Sequence, residues 1–180
     1  MQYVLSAERW RRFDGLERAL CVRVNGTSRH AIVRRGFTVV SRLGDGIVWY
    51  LLMLTFAIDS EWGARVALQM ATAGLASLLL YRQLKHRLVR ERPYISYASI
   101  RLGTAPLDRF SFPSGHTLQA TTFTVIAVAH VPELAPVLVP FALLVAASRV
   151  VLGLHYPTDV AAGALIGFAI ASTSLSLWPA

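Results

Sequence analysis

The sequence predicts an all-α fold, a polytopic helical bundle set in a membrane, and three observations carry that expectation. Hydrophobic residues make up 54% of the 180 positions and charged ones only 16%, where an average soluble domain has about a quarter charged. Five apolar segments succeed one another at about 44–60, 62–82, 115–132, 134–153 and 157–178, each near the ~20 residues that cross the hydrocarbon of a bilayer. Trp49, Tyr50, Trp62, Tyr81 and Trp178 stand near the segment ends, where amphipathic rings favour the membrane–water interface. The uninterrupted runs 46–58 and 134–147 alone would suit buried helices of a soluble bundle. Five such segments, however, leave too little polar chain to cover them. The length suits a single domain over 1–180.

Two basic stretches, together residues 1–43, precede the first apolar segment. Residues 5–23, continuing to Val24, intersperse Leu5, Trp10, Phe13, Leu16 and Leu20 with Arg9, Arg11, Arg12 and Arg18. This roughly helical spacing fits either a helix lying in the membrane interface or a surface helix packed on its own protein. Asn25-Gly26 reads as a turn. Residues 28–42 set Arg29, Arg34, Arg35 and Arg42 against Ile32, Val33, Phe37, Val39 and Val40, a second amphipathic stretch too charged to cross as a sixth span. Met1–Leu20 has no uninterrupted apolar core, so no cleavable signal peptide is expected. The lone Cys21 excludes an internal disulfide framework and any cysteine-based zinc site.

The net charge of +8 fits nucleic acid, anionic lipid or a phosphorylated substrate by its size alone, so its placement decides. With five spans, the N-terminus, the 83–114 connection and the end of the fourth span share one side. Of the 18 basic residues only Arg65 then falls toward the other. Basic residues collect on the cytoplasmic side of a membrane. The expectation is therefore an integral protein of a bacterial inner membrane with its polar connection cytoplasmic. The partner expected from that placement is the bilayer, with no nucleic acid.

Ionisable groups at span ends are costly unless they work, and here they gather in three places. In Lys85-His86-Arg87-Leu88-Val89-Arg90-Glu91-Arg92-Pro93, a helix would set Lys85 and Arg92 on one face, seven residues apart, with Pro93 stopping it. Two such cations suit a phosphate, Lys as a point charge and Arg as a planar fork; a basic cluster beside a span also serves as an orientation signal. Pro113-Ser114-Gly115-His116 opens an apolar helix. Unpaired N–H groups at a helix start bind anions, glycine admits an oxyanion close to the backbone, and His116 can protonate a leaving group. A serine N-cap beside an incidental histidine has the same spelling. Third, Ser148-Arg149 closes an apolar run, and His155 and Asp159 flank Pro157. A carboxylate four residues on reaches the imidazole, sets its tautomer and leaves the other nitrogen free to attack, unless the pair is a purely structural contact.

Taken together, Lys-x6-Arg-Pro, Pro-Ser-Gly-His and Ser-Arg-x5-His-x3-Asp resemble the signature of the type 2 phosphatidic acid phosphatase (PAP2) family at all eleven specified positions, within residues 85–159. The resemblance implies a metal-independent, cofactor-free membrane phosphatase acting on a phosphomonoester or diphosphate of a lipid. Undecaprenyl diphosphate, phosphatidylglycerophosphate, phosphatidate, diacylglycerol diphosphate and lipid A phosphates are the substrates it suggests. It implies His155 as a nucleophile forming a phosphohistidine, Asp159 orienting it, and His116 as general acid and then base. Lys85, Arg92, Ser114, Gly115 and Arg149 would hold the phosphate oxygens. Phosphoryl transfer needs chiefly positioning and charge stabilisation, and no carboxylate cluster for a divalent metal stands out in the sequence. Vanadium-dependent haloperoxidases share the motifs but are larger soluble proteins. A non-catalytic lipid-phosphate binder would be expected to have lost His116, His155 or Asp159. In the connection, Tyr94, Tyr97, Arg101 and Arg109 either shape a headgroup pocket or anchor at the interface.

Overall fold

The computed structural model describes residues 2–106 and 108–178, with side chains from residue 14 onward; no strand occurs among them. In chain order the helices are α1 (Gln2–Gly26), α2 (Ala31–Arg42), α3 (Val48–Asp59), α4 (Glu61–Arg87), the single turn α5 (Pro93–Ser96), α6 (Gly115–His130), α7 (Ala135–Val151) and α8 (Pro157–Leu177). Four stretches are long and apolar enough to cross a membrane: Ala31–Asp59, Glu61–Arg87, Pro132–Val151 and Pro157–Leu177. The remaining apolar segment, α6, has 16 residues, about 24 Å at 1.5 Å per residue. It is enclosed by its neighbours, packing against α4, α7 and α8. Gly167 of α8 permits the closest of these approaches: a Cβ there would lie 2.4 Å from the Leu118 carbonyl oxygen, so a hydrogen alone lets the two backbones meet. Trp49, Met70, Phe123, Ile126 and Val145 fill the core. Leu51, Leu54, Ile58, Leu75, Leu165 and Phe168 point outward and are exposed, an apolar girdle suited to lipid.

The second basic stretch does not end before the first apolar segment. It forms α2 and runs into α3 through a kink at Leu43–Ile47, where Asp45 has φ −81° and ψ 18° and Gly46 has φ +131°. Only glycine takes the latter without strain. The Trp49 indole N–H donates to the Gly44 carbonyl at 3.1 Å, satisfying a backbone acceptor in the kink. Between α3 and α4 the extended Ser60 caps the next helix, its Oγ accepting from the Gly63 N–H at 3.0 Å.

Asn25-Gly26, expected as a turn, still belongs to α1, and the chain turns at Thr27–Arg29 instead. Asn25 is buried because its amide works as a brace: it donates to Val151 and Arg101 carbonyls at 3.0 and 2.9 Å and accepts from the Arg101 N–H at 2.8 Å. Glu17 and Cys21 are buried as well, while Leu16 and Leu20 stay exposed. The described half of α1 thus packs on its own protein with an apolar edge left free. The side chains of Leu5, Arg9, Trp10, Arg11, Arg12 and Phe13 lie outside the described residues.

The chain order now locates the polar motifs. The end of α4, the start of α6, the end of α7 and the start of α8 all lie at one end of the bundle, so one region receives every motif.

Candidate active site

Lys85 lies in the last turn of α4, but Arg92 does not share its helix. Residues before proline are steered away from helical backbone; α4 stops at Arg87, and Arg92, at φ −74° and ψ 150°, is the N-cap of α5. Pro93 therefore starts a turn of helix rather than ending one, and the two cations meet through space instead of along a common face. Both hold Asp108: Lys85 Nζ contacts its two carboxylate oxygens, and Arg92 Nη2 donates to Oδ1 at 2.9 Å. The Tyr81 hydroxyl adds a hydrogen bond to Oδ2 at 2.8 Å. Burial pushes the Asp108 carboxyl up, but the bonds from Lys85, Tyr81 and Arg92 overcome it and hold the group down at about 2. Arg92, itself 1% exposed, also donates through Nη1 to the Leu154 carbonyl at 2.9 Å, and that nitrogen lies 3.1 Å from His155 Nε2.

Ser114 is the N-cap of α6, as its motif predicts, yet its hydroxyl bonds Thr117 Oγ1 at 2.9 Å rather than a backbone N–H. Gly115 and His116 form the first two residues of the helix, whose leading N–H groups have no carbonyl one turn back. His116 Nε2 lies 3.1 Å from Asp45 Oδ1, which the α2–α3 kink delivers.

At the end of α7 the Ser148 hydroxyl turns back to the Val145 carbonyl at 2.6 Å, away from any ligand role. Arg149 is buried; its Nη1 donates to Ser41 Oγ at 2.5 Å, and its Nε has no partner. Among the described residues it makes no ion pair. Its backbone carbonyl receives the N–H groups of Leu154 and His155 at 3.0 and 3.1 Å, so the turn carrying His155 is pinned beneath it. His155 Nδ1 faces Asp159 Oδ2 at 3.7 Å, beyond hydrogen-bond length. The carboxylate is engaged elsewhere: Oδ2 accepts from the Tyr156 N–H at 2.8 Å and Oδ1 from Arg90 Nη1 at 2.8 Å. Burial, followed by the charges of Arg149, Arg92 and Lys85, holds His155 well below the ordinary imidazole range. The ring is therefore neutral at neutral pH, with a lone pair on the nitrogen beside Arg92.

The structure thus brings Lys85, Arg92, His155 and Arg149 around one point, with His116 and Asp159 alongside. It also supplies residues that sequence reasoning missed. Asp108 carried no motif. Arg90 sat unnoticed in the basic cluster, yet it bridges Asp159 to the buried Glu17 of α1 at 2.6 Å and lies 3.9 Å over the Tyr156 ring. Asp45 did offer a signal, a carboxylate inside an apolar segment. Of the loop residues, Arg109 pairs with Glu91 at the surface and Tyr97 stacks edge-on with Tyr156, under Arg18.

Comparison with known proteins bears on the family and the fold. Residues 62–180 match the family model of the PAP2 superfamily. The chain is 42% identical over 76 residues to a decaprenylphosphoryl-5-phosphoribose phosphatase of Mycolicibacterium smegmatis, a match covering 41% of this chain and 39% of that protein. It is 30% identical over 143 residues to an undecaprenyl-diphosphatase of Sulfolobus acidocaldarius, covering 77% of this chain and 67% of the relative. Among solved structures, Aquifex aeolicus LpxE superposes with a TM-score of 0.75 at 29% identity, over 86% of this chain and 92% of that one. A membrane PAP2-type phosphatidylglycerolphosphate phosphatase from Bacillus subtilis superposes with a TM-score of 0.65 at 25% identity, over 92% and 85%.

Proposed function

This chain belongs to the PAP2 superfamily of phosphatases, and from that premise we propose that it strips phosphate from a lipid phosphate or diphosphate through a phosphohistidine, without a metal. Arg149 carries the reading: a buried cation with an unpartnered Nε and, among the described residues, no carboxylate paired with it, beside Lys85, Arg92 and a neutral histidine. A buried, uncompensated charge costs several kcal/mol. A substrate phosphate supplies the missing anion.

In this reading the Lys85 ammonium, the Arg92 and Arg149 guanidinium groups and the α6 N-terminus at Ser114 and Gly115 hold the phosphoryl oxygens. The lone pair of His155 Nε2 forms the N–P bond as the bond from phosphorus to the leaving oxygen breaks, and His116 gives that oxygen its proton. Water then attacks phosphorus, the N–P bond breaks, and the proton released by water returns to His116. Asp159 stabilises the charged His155 ring electrostatically. For the phosphate to reach Lys85 and Arg92, the Asp108 carboxylate yields its place to it or shares the donors. Metal independence is proposed because the gathered cations can themselves supply the charge stabilisation that phosphoryl transfer needs.

The substrate class is supported by the relatives' names, two of which specify polyprenyl-linked phosphates, and by a site at the end of an apolar bundle. The assay is phosphate release from undecaprenyl diphosphate, phosphatidylglycerophosphate and phosphatidate by purified protein in detergent. Release that survives EDTA and is blocked by vanadate is expected. A soluble phosphate ester hydrolysed far faster than every lipid at matched concentration overturns the lipid assignment, and loss in EDTA overturns metal independence.

We also read the whole of 1–180 as one membrane-embedded domain, in a bacterial inner membrane with the site cytoplasmic, on the distribution of basic residues. Cysteines placed at Ser60 and Ala98 test this with an impermeant thiol reagent on intact cells. The native Cys21 gives little background, being buried with its thiol pushed up to about 12 by burial and the nearby carboxylates of Glu17 and Asp159. Neither outward labelling at Ala98 nor protection at Ser60 is expected; the reverse pattern makes the site external.

A further inference from the structure

We infer that Asp45 is the positioning residue of His116, a second carboxylate–histidine pair beside that of His155 and Asp159. The inference rests on the proposed role of His116 as general acid, which it deepens.

A carboxylate in the Ala31–Asp59 span is expensive in an apolar environment, and the fold goes to structural lengths to keep this one in place. The helix breaks at Asp45, Gly46 takes the left-handed region, and the Trp49 indole satisfies the Gly44 carbonyl. Gly44 is pressed on α7, where a Cβ would stand 2.5 Å from a Val145 methyl, so the kink is locked rather than loose. Its product is the 3.1 Å approach of Asp45 Oδ1 to His116 Nε2. That is shorter than the 3.7 Å between Asp159 and His155.

Beside this pair lies a cavity of about 220 Å³ lined by Asp45, Tyr50, Ser77, Tyr81, His116 and Gln119. It lies on the His116 side of the cation cluster, where a leaving oxygen and its lipid would sit. The charges facing His116 are Asp45 from the kink, Arg149 from α7 and Arg92 from the turn before α5, with His155 adjoining. Asp45 is the one carboxylate among them. Without it the cations would disfavour the protonated imidazole that must donate to the leaving oxygen. Asp45 therefore sets both the ring's orientation and its supply of a proton.

Leaving-group dependence separates this role from a structural one. Asp45→Asn keeps the shape and removes the charge. Its kcat is expected to fall about ten- to hundredfold for a short-chain phosphatidate, with KM within about threefold, because general acid catalysis contributes on the order of 10²–10⁴. For the first-turnover release of nitrophenol from nitrophenyl phosphate, a step whose leaving group needs no proton and which precedes the water attack that also uses His116, the loss is expected to stay within about threefold. Asp45→Ala should show the same contrast and decides the matter if the asparagine variant does not purify. Equal losses for both substrates, or none for either, overturn the inference. His116→Ala run in parallel keeps the two levels apart: if it shows the contrast and the Asp45 variants do not, only the Asp45 role falls. If His116→Ala itself shows no contrast, the general-acid role falls first.

Discussion

His155→Ala is expected to lower turnover of lipid phosphate by about 10⁴-fold or more, while the protein still inserts and elutes as a folded species in detergent. A covalent nucleophile divides one hard displacement into two easier ones, and its loss should raise the barrier by about 5 kcal/mol or more. The structure sharpens the expectation: the ring is fully enclosed, its turn is tied to the Arg149 carbonyl, and Nε2 already lies 3.1 Å from an Arg92 nitrogen. Alanine here keeps the tie to the Arg149 carbonyl, which is made by the backbone N–H, and loses the side-chain contact with Arg92. Activity within about tenfold of the parent would remove His155 as the nucleophile.

Arg149→Met is expected to cost nearly as much activity but no stability. Methionine replaces the buried stem while deleting a charge that no carboxylate of the described residues pairs. Replacing buried charge by apolar volume is often neutral or stabilising by about 1–4 kcal/mol. The melting temperature in detergent should therefore hold or rise, while kcat/KM falls by about two to four powers of ten and vanadate ceases to inhibit. A large drop in melting temperature would mean that Arg149 serves the fold rather than the phosphate. Unchanged vanadate inhibition would remove it from the anion site.

The helical bundle was legible because apolar length follows from the solvent, not from tertiary detail; the aromatics were a poorer guide, since Trp49 is buried in the core and Tyr81 bonds Asp108. The gathering of the motif residues was legible because their order along the chain puts each near a helix end on one side of the bundle. What escaped was contact made across long sequence separations. Nothing adjacent to Asp108 announces that it will lie between Lys85 and Arg92, and Glu17 reaches Arg90 across 73 residues. The seven-residue spacing of Lys85 and Arg92 suggested a shared helical face. The helix instead ends at Arg87, well before Arg92, whose extended backbone precedes Pro93, and the two cations meet at Asp108. Asn25 looked like a turn residue by its local chemistry, until burial against Val151 and Arg101 made its amide a brace.

The central claim is that phosphate passes through His155, and trapping the phosphoenzyme tests it most directly. Purified protein mixed with lipid phosphate labelled on the transferable phosphorus is quenched within milliseconds in alkaline detergent, where phosphohistidine survives. The account predicts label on the protein that is released by acid, absent from His155→Ala, and accumulating relative to turnover in His116→Ala when an aryl phosphate is the donor. Label that resists acid, or that persists in His155→Ala, would contradict it.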